Sequence, residues 1–192
     1  VADRDLSDVL VFLRSCDLHG LQRLDDMYLR NGREKDFFYN RIREHVHFVL
    51  IGCTHSYKDC FCVSMGANKI DDGYVFSIEQ SNDGFKSEIK DDAFASYFVG
   101  QAENVAVSYV TENETKVNVP DHVPLSIYKS DMWREYDVRC IGCGRCTLVC
   151  PTCTCFTMQD IFYKENQNVG ERRRVWASCQ VDGFTDIAGG HS

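Results

Sequence analysis

The sequence lacks both an excess of basic residues and a long apolar run. Its 192 residues include 21 Lys and Arg against 29 Asp and Glu, a net charge of -8. Nucleic-acid-binding domains carry a basic surface, so this composition argues against that class. A membrane span needs roughly 20 apolar residues, and no stretch approaches that length, so we expect no such span.

Signals for export and for nucleotide binding are also missing. The chain begins with Val1 rather than Met and has no apolar leader, so we expect a cytoplasmic protein that is processed or excised from a longer chain. It contains no G-x-G-x-x-G, Walker loop or nucleophile elbow. We therefore expect no substrate turnover by the chain on its own.

Proline is scarce, and two of the three prolines, Pro120 and Pro124, lie close together. Paired prolines interrupt regular structure, so we predict domains at 1–125 and 126–192. Alternating apolar and helical patterns predict an α/β layer in the first domain. Its predicted strands are 9–13, 47–51, 74–78 and 105–110, and its predicted helices are 18–29, 37–45 and 91–99.

Two local features refine this prediction. Asp17 is the expected N-cap of the first helix, which leaves Cys16 in the turn after the first strand. In the second domain we predict a helix at 131–136 and two strands, 160–163 and 174–177, joined by a polar loop.

Cysteine, in contrast, is abundant and clustered. The chain has 11 cysteines, and six of them fall between Cys140 and Cys155. The number is odd and no secretory signal is present, so metal ligands or reactive thiols are favoured over disulfides.

The densest cysteine run predicts a [4Fe–4S] cluster. Its spacing is C-x2-C-x2-C-x3-C-P, typical of bacterial ferredoxins, and its members are Cys140, Cys143, Cys146 and Cys150. Gly142 and Gly144 allow the backbone to wrap closely around a cubane. The alternative is a zinc-stabilised interaction module, but zinc favours two C-x2-C pairs separated by a longer span.

The remaining cysteines allow more than one interpretation. Four of them are candidates for an additional [4Fe–4S] site, Cys16, Cys53, Cys60 and Cys62. The alternative is that these four are buried apolar thiols. Cys153 and Cys155 alternate with threonines, as in a short strand lining a cluster. Cys155 and Cys179 are reserve ligands.

Several segments resemble the family of anaerobic sulfite reductase A subunits, which carry a 4Fe-4S dicluster domain. The β subunits of cytoplasmic sulfhydrogenases are similar to these. The resemblance covers essentially the whole chain, and it rests on segments 13–21, 60–66, 140–156, 170–179 and 184–191.

The resemblance implies an α/β layer followed by a helical-ferredoxin-like iron–sulfur module, truncated at its C-terminus. It implies an electron-transfer subunit between a flavin subunit that oxidises NADH and a sirohaem subunit that reduces sulfite to sulfide. The alternative is the corresponding subunit of a sulfhydrogenase. In the family a second C-x2-C-x2-C-x3-C run follows, so we expect it beyond Ser192.

Overall fold

The structure is a computed structural model that describes residues 7–99, 105–181, 183, 184 and 186. The chain divides into two compact units, the N-terminal unit Val1–Pro120 and the C-terminal unit Asp121–Ser192. Both units mix helices with strands in open sheets, which agrees with an α+β class. The segment around Gly190, which contributes to the family resemblance, lies outside the described residues.

The N-terminal unit is built on a four-stranded sheet with its strands in chain order. The strands are β1 (Val9–Leu13), β2 (Val46–Ile51), β3 (Phe76–Ser81) and β4 (Gly84–Lys86). The first three are parallel, and β4 pairs antiparallel with β3. The carboxyl ends of β1 and β2 therefore open at the same edge of the sheet.

Helices connect the first two strands. Helix α1 (Ser15–Asp25) runs directly into a π-helical turn, Asp26–Arg30, and α2 (Phe37–Arg43) follows. The Asp36 side chain accepts the Tyr39 N–H at 2.9 Å and so caps α2. Further along the chain, Asp92–Tyr97 forms a 3-10 helix.

The core of this unit lies where α1 packs against the central strand β2. Leu50 is fully buried and Leu18 is 2% exposed. An apolar cluster surrounds them, comprising Leu18, Phe48, Leu50, Ile70, Tyr74 and Val107. Burial of these side chains provides the main stabilisation of the sheet.

The C-terminal unit places two short helices before a hairpin. Helix α3 (Met132–Arg139) leads into the cysteine run, and α4 (Arg145–Val149) lies within it. Strands β5 (Phe156–Tyr163) and β6 (Asn166–Trp176) pair antiparallel. The unit also contains the 3-10 helix Leu125–Lys129.

The first strand is predicted correctly in position but not in burial. β1 spans the predicted residues, yet Val9 and Phe12 are each 50% exposed. It has β2 as its only described neighbour and lies at an edge of the sheet. The strand predicted at 74–78 begins two residues later, at Phe76.

The prediction of a strand at 105–110 is wrong. Val107 and Val110 are buried, but the segment has no regular structure. Both the N–H and the hydroxyl of Ser108 donate to the Glu79 carboxylate. The Glu79 side chain thus accepts the Ser108 N–H, which is then not available to pair with a neighbouring strand.

The start of the first helix also differs from the prediction. Arg14 is the N-cap, and Asp17 lies three residues later, where its carboxylate accepts the Arg14 backbone N–H at 3.1 Å. Cys16 is therefore in the first turn of α1 rather than in a loop before it. The helix predicted at 91–99 is the shorter 3-10 helix.

The hairpin is longer than predicted. Asn166 and Gly170, expected in a polar loop, belong to β6, and the chain turns at 164–165. A side chain at Gly170 would collide with the carbonyl group of Ile161 across the ladder. This close approach explains a glycine inside a strand.

Candidate metal-binding sites

Helix α3 and helix α4 hold the four cysteines of the dense run in position. Cys140 caps the C-terminus of α3, and Cys146 is the second residue of α4. Cys150 follows α4 and donates its N–H to the Cys146 carbonyl at 3.1 Å. The helices therefore fix the backbone at Cys140, Cys146 and Cys150.

The turn between these helices depends on glycine. Gly142 and Gly144 flank Cys143 and have φ angles of 65° and 67°. Residues with a Cβ lose about 1–2 kcal/mol in this left-handed region. Both glycines therefore adopt the conformation in which a loop can wrap closely around a cubane.

The hairpin returns the chain to the same place. The Ala177 N–H donates to the Cys155 carbonyl at 3.2 Å, which joins the end of β6 to the start of β5. Ser178 follows and is 4% exposed. Its hydroxyl oxygen lies 3.5 Å from the sulfur of Cys146.

These connections bring seven thiols to one cavity of about 860 Å³. They are those of Cys140, Cys143, Cys146, Cys150, Cys153, Cys155 and Cys179. The volume lies within the range of about 300–1,000 Å³ that is usual for small-molecule and cofactor sites. The reserve residues Cys155 and Cys179 thus line the same space as the main run.

Cys155 lies in a small group with two other thiols. Burial raises the pKa of its thiol, and hydrogen-bonding contact with the Cys153 thiol raises it further. The Cys179 backbone acts in the opposite direction, since hydrogen bonding to it favours the charged form of Cys155.

A buried hydroxyl in this cavity fits a sulfur-rich group. Thr147 is 7% exposed, lines the cavity beside Cys146, and its Oγ1 has no hydrogen-bond partner among the described residues. A buried hydroxyl without a partner is costly in free energy. The sulfur atoms of a cluster bound by the surrounding thiols would accept a hydrogen bond from it.

The thiols are not gathered around a single point. Within the described ranges, no three His, Cys, Asp or Glu side chains are close enough to hold one metal ion. All eleven cysteines are free, without disulfides. A donor set consisting of thiols alone suits an iron–sulfur cluster or another soft metal centre.

The other four cysteines lie in the N-terminal unit. Burial raises the pKa values of the Cys16 and Cys53 thiols, and the nearby Arg14 guanidinium lowers both. The charge of a Cys62 thiolate also raises both pKa values, so Cys62 is near each of them. Cys60 acts on Cys53 in the same way.

Comparison with known proteins agrees with the chemistry of the C-terminal unit. Residues 139–192 match the model of the 4Fe-4S dicluster domain. The match begins one residue before Cys140 and includes all seven thiols of the cavity. The chain is therefore an iron–sulfur protein, with [4Fe–4S] clusters as its cofactors.

One relative extends the similarity to the whole chain. The sulfhydrogenase 2 subunit beta of Pyrococcus furiosus is 30% identical over 209 residues, which cover 99% of this chain. The chain spans about 60% of that relative's length. No solved structure gives a significant match.

The similarity bears on two expectations from the sequence. It agrees with the sulfhydrogenase alternative, and it does not specifically support the sulfite reductase assignment.

None of the described helices is both long and apolar enough to cross a membrane.

Proposed function

We propose that the chain is an electron-transfer subunit of a cytoplasmic oxidoreductase complex and relays single electrons between partner subunits. The observation that carries this proposal is the cavity lined by seven thiols within the dicluster domain. A [4Fe–4S] cluster bound there supplies one-electron chemistry, usually at low potential. The role of the protein is to hold the cluster, set its environment and exclude other ligands.

The proposed ligands are the four thiolates of the dense run, Cys140, Cys143, Cys146 and Cys150. In ferredoxins with two clusters, the fourth cysteine of such a run binds the other cluster. Cys150 then points toward a second site, for which Cys155 and Cys179 are additional thiol donors at the same cavity.

Neighbouring polar groups adjust the charge balance at these thiolates. The Ser178 hydroxyl is placed to donate to the Cys146 sulfur. Arg145, Asp137 and Arg139, whose guanidinium pairs with Glu135, also line the cavity. Positive charge and hydrogen-bond donors stabilise the reduced, more negative state. We expect the Ser178 hydrogen bond to raise the reduction potential relative to a site without it.

Two complexes are candidates for supplying the partner subunits. The family resemblance favours a flavin subunit that oxidises NADH and a sirohaem subunit that reduces sulfite. The relative of Pyrococcus furiosus favours a sulfhydrogenase instead. Purification of the native complex discriminates between them, because sirohaem accompanies the chain in the first case and nickel–iron hydrogenase activity in the second.

Anaerobic purification of the chain tests the electron-transfer role directly. We expect iron and acid-labile sulfide in equal amounts, and an electron paramagnetic resonance signal after reduction by dithionite. The reason is that an iron–sulfur cluster contains inorganic sulfide, whereas a zinc site does not. Stoichiometric zinc in colourless protein without sulfide would contradict the proposal.

Replacement of Ser178 tests the tuning of the site. We expect Ser178→Ala to keep the iron content and to lower the reduction potential. A hydrogen bond worth about 1 kcal/mol corresponds to a shift on the order of tens of millivolts for one electron. Ser178→Thr keeps the hydroxyl and is the matched control. A potential unchanged in Ser178→Ala, measured by redox titration, would show that this hydroxyl does not act on the cluster.

A further inference from the structure

Two thiols of the N-terminal unit follow neighbouring strands at the same distance in sequence. In the parallel pairing of β1 with β2, Leu13 lies opposite Leu50. Cys16 and Cys53 each follow three residues after these paired leucines. Ligands of parallel sheets bind beyond the carboxyl ends of the strands. The register thus carries both thiols to the edge where such sites form.

Two backbone hydrogen bonds, made by Gly52 and by Cys53, fix the chain directly after β2. The Gly52 N–H donates to the Ile78 carbonyl and the Cys53 N–H donates to the Ser108 carbonyl, each at 2.9 Å. A Cβ at Gly52 would lie 2.7 Å from the Glu79 carboxylate. Cys53 is therefore held on the sheet rather than in a free loop.

The loop after Cys53 folds back toward Cys16. The Ser15 hydroxyl donates to the Asn68 carbonyl at 2.8 Å, which ties the first turn of α1 to the end of this loop. Within the loop, the Ala67 N–H donates to the Cys62 carbonyl at 2.8 Å. Cys62 is therefore part of a closed turn beside the helix that carries Cys16.

A buried amide holds the same loop from the other side. Asn113 is 4% exposed; its Oδ1 accepts the Val63 N–H at 2.8 Å, and its Nδ2 donates to the Ser56 hydroxyl at 2.8 Å. The Cys62 sulfur also lies 3.7 Å from the Asn113 Oδ1. In this contact the Cys62 thiol is the donor, so the contact is lost when Cys62 binds iron as a thiolate. Asn113 then holds the loop through Val63 and Ser56.

The residue that caps α1 brings one cation to the same edge of the sheet. Arg14 is the N-cap, two residues before Cys16, and its guanidinium pairs with the Asp17 carboxylate at 3.4 Å. Several thiolates in one place require compensating positive charge, which Arg14 supplies in part because Asp17 already neutralises some of its charge.

We propose that the N-terminal unit binds its own [4Fe–4S] cluster, separate from the dicluster domain, through the thiolates of Cys16, Cys53, Cys60 and Cys62. A cubane offers four iron corners, so each thiolate binds its own iron and the sulfurs need not meet at one ion. Thiolate ligands also suit zinc, but the chain already carries [4Fe–4S] clusters. This site is independent of the proposed ligands in the C-terminal unit.

Replacement of Cys60 in the 192-residue chain tests this site. After anaerobic reconstitution with iron and sulfide, we expect Cys60→Ala to hold about four fewer iron atoms and four fewer sulfides than the unchanged chain. The matched control is Thr54→Ser, which keeps a hydroxyl next to Cys53. Unchanged iron and sulfide in Cys60→Ala, or a loss of zinc instead, would overturn the proposal.

A second variant separates this site from the C-terminal one. A chain with Cys140, Cys143, Cys146 and Cys150 all replaced by serine is expected to keep about four iron atoms, which a further Cys60→Ala change removes. Complete loss of iron from the quadruple variant, with its circular dichroism unchanged, would overturn the N-terminal site while leaving the proposed electron-transfer role intact.

Discussion

Cys143→Ala is expected to remove the cluster bound at the dense cysteine run, with a loss of about four iron atoms and four sulfides per chain. Cys143 lies between two glycines in the left-handed conformation, so its position is fixed by the tightest part of the loop. Its sulfur lines the same cavity as those of Cys140 and Cys146. Cys140 and Cys146 are themselves ligands, and the reserve thiols of Cys155 and Cys179 are proposed for the second site, so none of them is expected to replace it.

The matched control for this variant is Ile141→Ala, two residues earlier in the same loop. The Ile141 side chain is 87% exposed, so its removal costs little burial. We expect this control to retain the iron, the sulfide and the reduced paramagnetic signal. If Cys143→Ala also retained its full iron and sulfide, Cys143 would not be a ligand.

Leu50→Ala is expected to have the largest effect on stability. Leu50 is fully buried in the central strand β2, between β1 and β3. Removal of a buried leucine side chain typically lowers the free energy of unfolding by about 2–5 kcal/mol, because it leaves a cavity as well as losing burial. The expected loss is a large share of the stability of an ordinary domain.

Urea unfolding followed by circular dichroism measures this effect. Ile51→Ala is the matched control, because Ile51 is the next residue of the same strand and is 37% exposed. We expect the control to lose much less stability than Leu50→Ala. Equal losses in the two variants would contradict the assignment of Leu50 to the core.

Local sequence patterns predict the parts of this fold that depend on local geometry. The positions of β1, β2, α2 and α3 follow from apolar periodicity. The spacing that begins at Cys140 predicts the [4Fe–4S] cofactor, which the dicluster match supports. In both cases the determining residues are close together in the chain.

Contacts distant in sequence account for what the patterns miss. Ser108 lies 29 residues from Glu79, whose carboxylate takes its N–H and prevents the strand expected there. Likewise, Ser178 is 32 residues from Cys146, and only the hairpin brings the two together. The periodicity of a segment contains no information about such partners.

Insertions and deletions at the tip and at the base of the β5–β6 hairpin have different consequences. The turn at 164–165 is far along the strands from Cys155 and Ala177, whose backbones pair at the base. Paired insertions or deletions at the tip preserve the register below them, so the length of this arm is free to drift. A single-residue slip near Ala177 would instead move Ser178 away from the Cys146 sulfur and change the redox tuning without altering any cysteine.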